Sequence, residues 1–259
     1  MKKLMIAAAI AAGSLASLAS IESANTVGYV TYELQANKQD IGGVPFLNAG
    51  GGELDIQNIK LSNGFDGGDW IKIFDPETRS YVTLTWYASL YDVDSEGEDV
   101  ELGYSGWGVD EYIVKPTVTI QPGQGFWIET RNANTMTVAG QVCSAVNAEN
   151  TQSLMANKQD LLAALFPVET DVQDIKLSNG FDGGDWIKIF DPATRSYVTL
   201  TWYASLYDVD SEGEDVELGY SGWGIDEYIQ KPAIKIQPGQ GFWIETRNAN
   251  TVTFTSITE

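Results

Sequence analysis

From Tyr81 to Tyr87 the chain alternates, with Val82, Leu84 and Trp86 on one side and Tyr81, Thr83, Thr85 and Tyr87 on the other. A period of two describes a strand with one apolar and one amphipathic face. Just upstream, Trp70-Ile71-Lys72-Ile73-Phe74 reads as another strand, and Asp75-Pro76-Glu77-Thr78-Arg79-Ser80 joins the two. Pro76 presets a turn and Asp75 can cap it, so the pair predicts a hairpin. Thr117 to Ile120 is a short β-branched run, and Pro122-Gly123 suits a type II turn. Strands follow at Phe126 to Thr130 and Thr135 to Cys143. In an alternating strand one of Phe126 and Trp127 faces outward, where it can form a contact between modules.

The whole pattern occurs twice. Residues 55–135 and 171–251 match at 73 of 81 positions. The differing pairs are Ile56/Val172, Asn58/Asp174, Glu77/Ala193, Val109/Ile225, Val114/Gln230, Thr117/Ala233, Val118/Ile234 and Thr119/Lys235. Such a repeat implies a tandem array. Loop identity fits a recent duplication and so carries no functional weight. Upstream, Ala36 to Asp40 recurs as Ala156 to Asp160. A Gly-rich stretch follows in the first copy, whereas Leu161-Leu162-Ala163-Ala164-Leu165 in the second predicts a turn or two of helix. No Ser/Pro-rich linker intervenes, so the modules are expected to abut. Short strands with turn signals every 8–12 residues or so indicate an all-β chain. The reading is two tandem, nearly identical β-sandwich or open-barrel modules, 25–142 and 143–259.

Residues 1–24 read as a signal peptide: Lys2 and Lys3, then the apolar run Leu4 to Ala12, then small residues. That run is shorter than the roughly 20 residues that span a bilayer. The mature chain is therefore expected to be exported, without membrane insertion, to the periplasm, the cell surface or the extracellular space. With Cys143 as the only cysteine, no internal disulfide can form, and core packing must hold each module. The net charge of −21 repels nucleic acid and anionic lipid. Histidine is absent, which removes Ser-His-Asp and Cys-His nucleophiles, histidine bases and histidine zinc sites. Carboxylate-only hydrolysis survives, but among so many acids some pair always exists, so the chain is read as non-enzymatic.

The sharpest local motif is Asp92-Val93-Asp94-Ser95-Glu96-Gly97-Glu98-Asp99-Val100-Glu101, repeated as Asp208 to Glu217. Asp92, Asp94, Glu96 and Gly97 match the opening of a calcium loop, whose alternation turns oxygens inward and whose glycine permits a sharp turn. Glu96 stands where Asp or Asn is usual, and Gly103 where the bidentate Glu belongs. The candidate calcium ligands are Asp92, Asp94, Glu96 and Glu98, with Asp208, Asp210, Glu212 and Glu214; the competing reading is a solvated acidic loop. Aromatic residues bracket the motif. Tyr91, Tyr104 and Trp107, with Tyr207, Tyr220 and Trp223, are candidates for stacking on sugar rings or anchoring a partner. Trp86 shares a face with Val82 and Leu84 and is read as core. Trp107 sits in Gly106-Trp107-Gly108, outside any strand pattern, and is read as the better binding residue.

Asn25-Thr26-Val27-Gly28-Tyr29-Val30, Gly68-Asp69-Trp70-Ile71-Lys72-Ile73-Phe74-Asp75 and Gln121-Pro122-Gly123-Gln124-Gly125-Phe126-Trp127 together resemble a group of small exported β-rich proteins of planctomycete–verrucomicrobial bacteria. More distantly they are similar to β modules in surface proteins of Bacteroidetes. The resemblance implies export and a β fold, and no activity. The combined expectation is an exported structural or adhesive protein, open to ordering by calcium. Its partners would be a glycan, a cell-surface or extracellular protein, or a second copy of itself. The alternative is a pair of carbohydrate-binding modules, and a carboxylate hydrolase ranks behind both.

Overall fold

The computed structural model describes residues 27–46, 53–62, 68–75, 77–109, 115–142, 149–164, 169–179, 183–191, 193–225 and 231–255. The segment read as a signal peptide and Cys143 lie outside these. In the first half the strands are β1 (Val27–Leu34), β2 (Lys38–Gly43), β3 (Leu54–Asp55), β4 (Lys60–Leu61), β5 (Trp70–Asp75) and β6 (Ser80–Tyr87). They continue with β7 (Tyr91–Val93), β8 (Asp99–Glu101), β9 (Gly106–Val109), β10 (Thr119–Ile120), β11 (Gly125–Thr130) and β12 (Asn134–Gln141). The second half follows with β13 (Glu149–Leu154), β14 (Lys158–Ala163), β15 (Thr170–Asp171), β16 (Lys176–Leu177), β17 (Trp186–Asp191) and β18 (Ser196–Tyr203). It ends with β19 (Tyr207–Val209), β20 (Asp215–Glu217), β21 (Gly222–Ile225), β22 (Lys235–Ile236), β23 (Gly241–Thr246) and β24 (Asn250–Thr255). The described chain is all-β apart from the 3-10 turns Ile56–Asn58 and Val172–Asp174.

Each half has the same sheets: a three-stranded one (β1-β12-β4; β13-β24-β16) and a five-stranded one (β2-β11-β5-β6-β9; β14-β23-β17-β18-β21). Two-stranded pairs complete each set, and every ladder is antiparallel. Among the described residues, no sheet closes on itself. In the first half the two large sheets face a common core. Ile128, Ile71 and Leu84 form one inward row across β11, β5 and β6, and Met136 and Val138 of β12 meet it from the other sheet. The arrangement is therefore sandwich-like. The alternation of β6 holds from Thr83 to Tyr87, with Leu84 and Trp86 buried and Thr83, Thr85 and Tyr87 half-buried, whereas Val82, read on the apolar face, is exposed near the start of the strand.

The predicted hairpin between Phe74 and Tyr81 forms. An Asp75 oxygen accepts the Glu77 amide at 2.9 Å, and the Thr78 hydroxyl donates to the other at 2.6 Å. Arg79 closes the turn in the left-handed region, φ 58°, and Arg195 repeats this at 57°. That conformation costs a non-glycine residue about 1–2 kcal/mol, so two arginines held there call for a compensating contact.

The Leu161–Ala164 stretch departs from the helical expectation: Lys158–Ala163 is strand β14, paired to β23. Leu162 enters the second half's own core, while Leu161 faces a separate cluster with Ile41, Phe74 and Phe190. A strand buried on both faces shows no alternation, and a short apolar run of this kind cannot be told from helix by period.

Candidate functional site

Ile71 and Ile73 point into the core, so Trp70, Lys72 and Phe74 point out from the same strand. Register carries this outer face across the sheet. Gln39, Glu129, Trp70 and Thr85 make one row; Ile41, Trp127, Lys72 and Thr83 make the next. Gln39, Trp70, Lys72, Thr83, Thr85 and Glu129 line a shallow concavity of about 360 Å³. The Lys72 ammonium lies 4.7 Å from the Trp70 ring centroid, and Lys188 lies 4.6 Å from Trp186, which is cation–π distance. The second half repeats both rows through Gln159, Glu245, Trp186 and Thr201, and through Leu161, Trp243, Lys188 and Thr199. Here an indole ring with an ammonium over one face is surrounded by hydroxyl, amide and carboxylate groups of neighbouring strands. Such a surface can stack on an apolar ring face and bond a polar rim. This site was missed in the sequence although the signal was present: Ile71 and Ile73 inward makes Trp70 outward.

The other end of this outer face holds the two halves together. Ile41, Phe74, Leu161 and Phe190 form a cluster backed by Trp127 and Trp243. Phe74 meets Trp243 at 5.9 Å, and Trp127 meets Phe190 at 6.5 Å. Arg79 bonds Asp160 at 2.5 Å, and Arg195 bonds Asp40 at 2.5 Å. Each arginine also donates to a carbonyl on the opposite edge strand, Gln159 or Gln39, and lies over its own Phe74 or Phe190 ring, 4.7 and 4.9 Å from the centroid. Burial raises both aspartate carboxyls above their usual range, and the arginines oppose that shift. Trp127 thus makes the predicted contact between modules, and the left-handed arginines have their compensation.

A groove of about 590 Å³ also runs between the halves, over Phe74, Asp75, Gln124, Gln152 and Leu162. Glu77, Val118 and Thr119 line it too, and all three are positions where the repeats differ. The groove is therefore not duplicated in kind, whereas the Trp70 face is.

The remaining predicted residues divide. Asp92 to Glu101 forms an exposed hairpin of β7 and β8. Asp94 accepts the amides of Glu96 at 2.8 Å and Glu98 at 2.9 Å through one oxygen, and Asp210 does the same for Glu212 and Glu214. Those bonds hold both carboxyls below their ordinary range. Gly97, at φ 86°, supplies the left-handed turn position. Glu96, Glu98, Glu212 and Glu214 are exposed beside Asp92 and Asp208, whose carboxylates accept the next residue's amide. Among the described residues, no group of three or more Asp, Glu, Cys or His side chains is placed to hold a metal ion. Tyr104 and Tyr220 are exposed; Tyr91 and Tyr207 are half-buried. No known protein family, curated protein or solved structure matches this chain.

Trp107 and Trp223 require a correction: both are fully buried. Trp107 lies in strand β9, packs edge-on to Trp86 at 5.0 Å and donates its indole N–H to the Ile59 carbonyl at 3.2 Å. The flanking glycines concealed the strand, and both are present for close approach. A Cβ on Gly106 would collide with Gln57 and Leu90, and one on Gly108 would press the Tyr87 ring at 2.9 Å. Gln57 uses its side-chain amide as a substitute strand, donating to the Trp107 carbonyl at 2.7 Å and accepting its N–H at 3.0 Å. That amide closes this edge of the sheet.

Proposed function

We propose that this chain is an exported, non-catalytic adhesive protein of two tandem β modules, 25–142 and 143–259, each presenting one carbohydrate-binding face centred on Trp70 or Trp186. The observation that carries this reading is the outward Trp70–Lys72 pair with its hydroxyl, amide and carboxylate surround on the outer sheet face, which the duplication presents a second time at Trp186. Carbohydrates offer what such a face complements: an apolar ring face for the indole and hydroxyls for Gln39, Thr83, Thr85 and Glu129. Two weak sites in one chain gain avidity on a repetitive polymer. The adhesive role is preferred to a self-assembling scaffold because the contact between the halves is made within the chain and leaves the Trp70 and Trp186 faces to other molecules.

Binding of the mature protein to immobilised polysaccharides tests this. Trp70→Ala and Trp186→Ala should each remove most of the avidity, and the double variant should abolish retention while the fold is kept. Retention by the folded double variant, or no retention of wild type on any polysaccharide, rules the reading out.

A further inference from the structure

The contact between the halves has a property that an ordinary domain contact lacks: each half contributes the same phenylalanine, tryptophan, arginine and aspartate, while Gly43 of the first half faces Ala163 of the second. Phe74 reaches Trp243 while Phe190 reaches Trp127; Arg79 reaches Asp160 while Arg195 reaches Asp40. Backbone contacts obey the same exchange, since Gly42 bridges Gln240 and Gln124 bridges Leu162. The close packing follows too. A Cβ on Gly123 would strike the Gln152 amide of the second half, and one on Gly239 would strike the Tyr32 hydroxyl of the first. Residue i meets j while the copy of j meets the copy of i, which defines an isologous interface, the kind formed by a two-fold homodimer.

We infer that the first half is a competent partner for either half of a second copy of this chain, and the second half for its first half, and that the Asp40–Arg79 set, with its copy Asp160–Arg195, decides which halves pair. The geometry supports three pairings: first with second inside one chain, and first with first or first with second between chains; second with second would set Ala163 against Ala163, and a Cβ at the Gly43 position would fall 1.9 Å from the Ala163 Cβ. In all of them an arginine over a phenylalanine ring faces a buried aspartate. Pairing within a chain prevails because the join makes the partner's effective concentration high, of millimolar order for a short connection. Chains at comparable concentration should therefore exchange halves and link to one another. This inference does not depend on the carbohydrate reading.

Charge reversal of one half separates the pairings. In Asp40→Arg/Arg79→Asp, the first half opposes like charges when it meets its own second half. First meeting first keeps opposite charges together between chains. This full-length variant should run as assemblies of two or more chains by light scattering, at concentrations where wild type is a single chain. Adding Asp160→Arg/Arg195→Asp restores every match and should return single chains. The inference fails if the double variant stays a single chain, or if the fourfold variant does not revert. If the reversed chains do not fold, wild type decides. Light and isotopically heavy chains refolded together near millimolar concentration should give mixed dimers by native mass spectrometry that persist on dilution. Single chains only would overturn the inference.

Discussion

The contact between the halves and the acidic hairpin are both present in duplicate, and they are built in opposite ways. In the hairpin, Asp94 finds its partners two and four residues away, and the loop closes on its own backbone. At the contact, Arg79 finds its partner 81 residues away in the other copy. The hairpin can therefore form in either half alone, while the contact exists only because there are two halves. The difference shows how duplication adds structure without new sequence: outward residues of one copy acquire partners when an identical surface arrives.

Breaking the contact should have the largest effect. Phe74→Ala with Phe190→Ala should cost about 3 kcal/mol or more per ring, the usual loss for a buried aromatic. Calorimetry should then resolve two unfolding transitions where wild type shows one. The ion pairs come next. Arg195→Ala strands the Asp40 carboxylate, so it should destabilise by about 2 kcal/mol more than Asp40→Asn, which removes the charge instead. Equal losses in denaturant titrations would mean that water reaches Asp40 freely.

Acid sharpens the comparison, because the two regions titrate with opposite sign. Asp40 and Asp160 have raised carboxyls, so the folded state takes up their protons before the unfolded state does. Their contribution to stability grows as pH falls through the window just above the usual carboxylate range, and wild type should gain on Asp40→Asn/Asp160→Asn there. Asp94 and Asp210 have lowered carboxyls, so their contribution is present at neutral pH and lost as pH falls through their folded values. A difference between wild type and variant that does not change with pH would refute the sign for the buried pair. Smaller still, Asp94→Ala should speed amide exchange at Glu96 and Glu98 and lower the unfolding temperature only slightly at neutral pH. Last, unfolding in chelator and in millimolar calcium should coincide. A calcium-specific rise lost in Asp92→Ala/Asp208→Ala would instead make the hairpins metal sites.

Much of the fold was legible because it follows from local alternation. Tyr81 to Tyr87, the Asp75 turn and the strands after Pro122-Gly123 each declare themselves within a few residues. What failed were segments whose meaning depends on distant partners. Leu161-Leu162 imitates a helix because each residue serves a different core. Trp107 imitates a loop residue because its glycine neighbours make room for Gln57, Leu90 and Tyr87. The Trp70 face was readable from Ile71 and Ile73 alone, whereas no short-range pattern reveals that Arg79 and Asp160 meet.

The first and last strands of each half are neighbours. Val27 lies opposite Gln141, and Glu149 opposite Thr255. Entry and exit thus meet at one point, which makes a half simple to copy in tandem, since a further unit can be joined without disturbing those before it. Yet every half spends its docking face on exactly one other. Lengthening such a gene by a single unit would leave a bare aromatic surface with no mate. Lengthening it by two would not, so arrays of this module are expected to grow in even numbers.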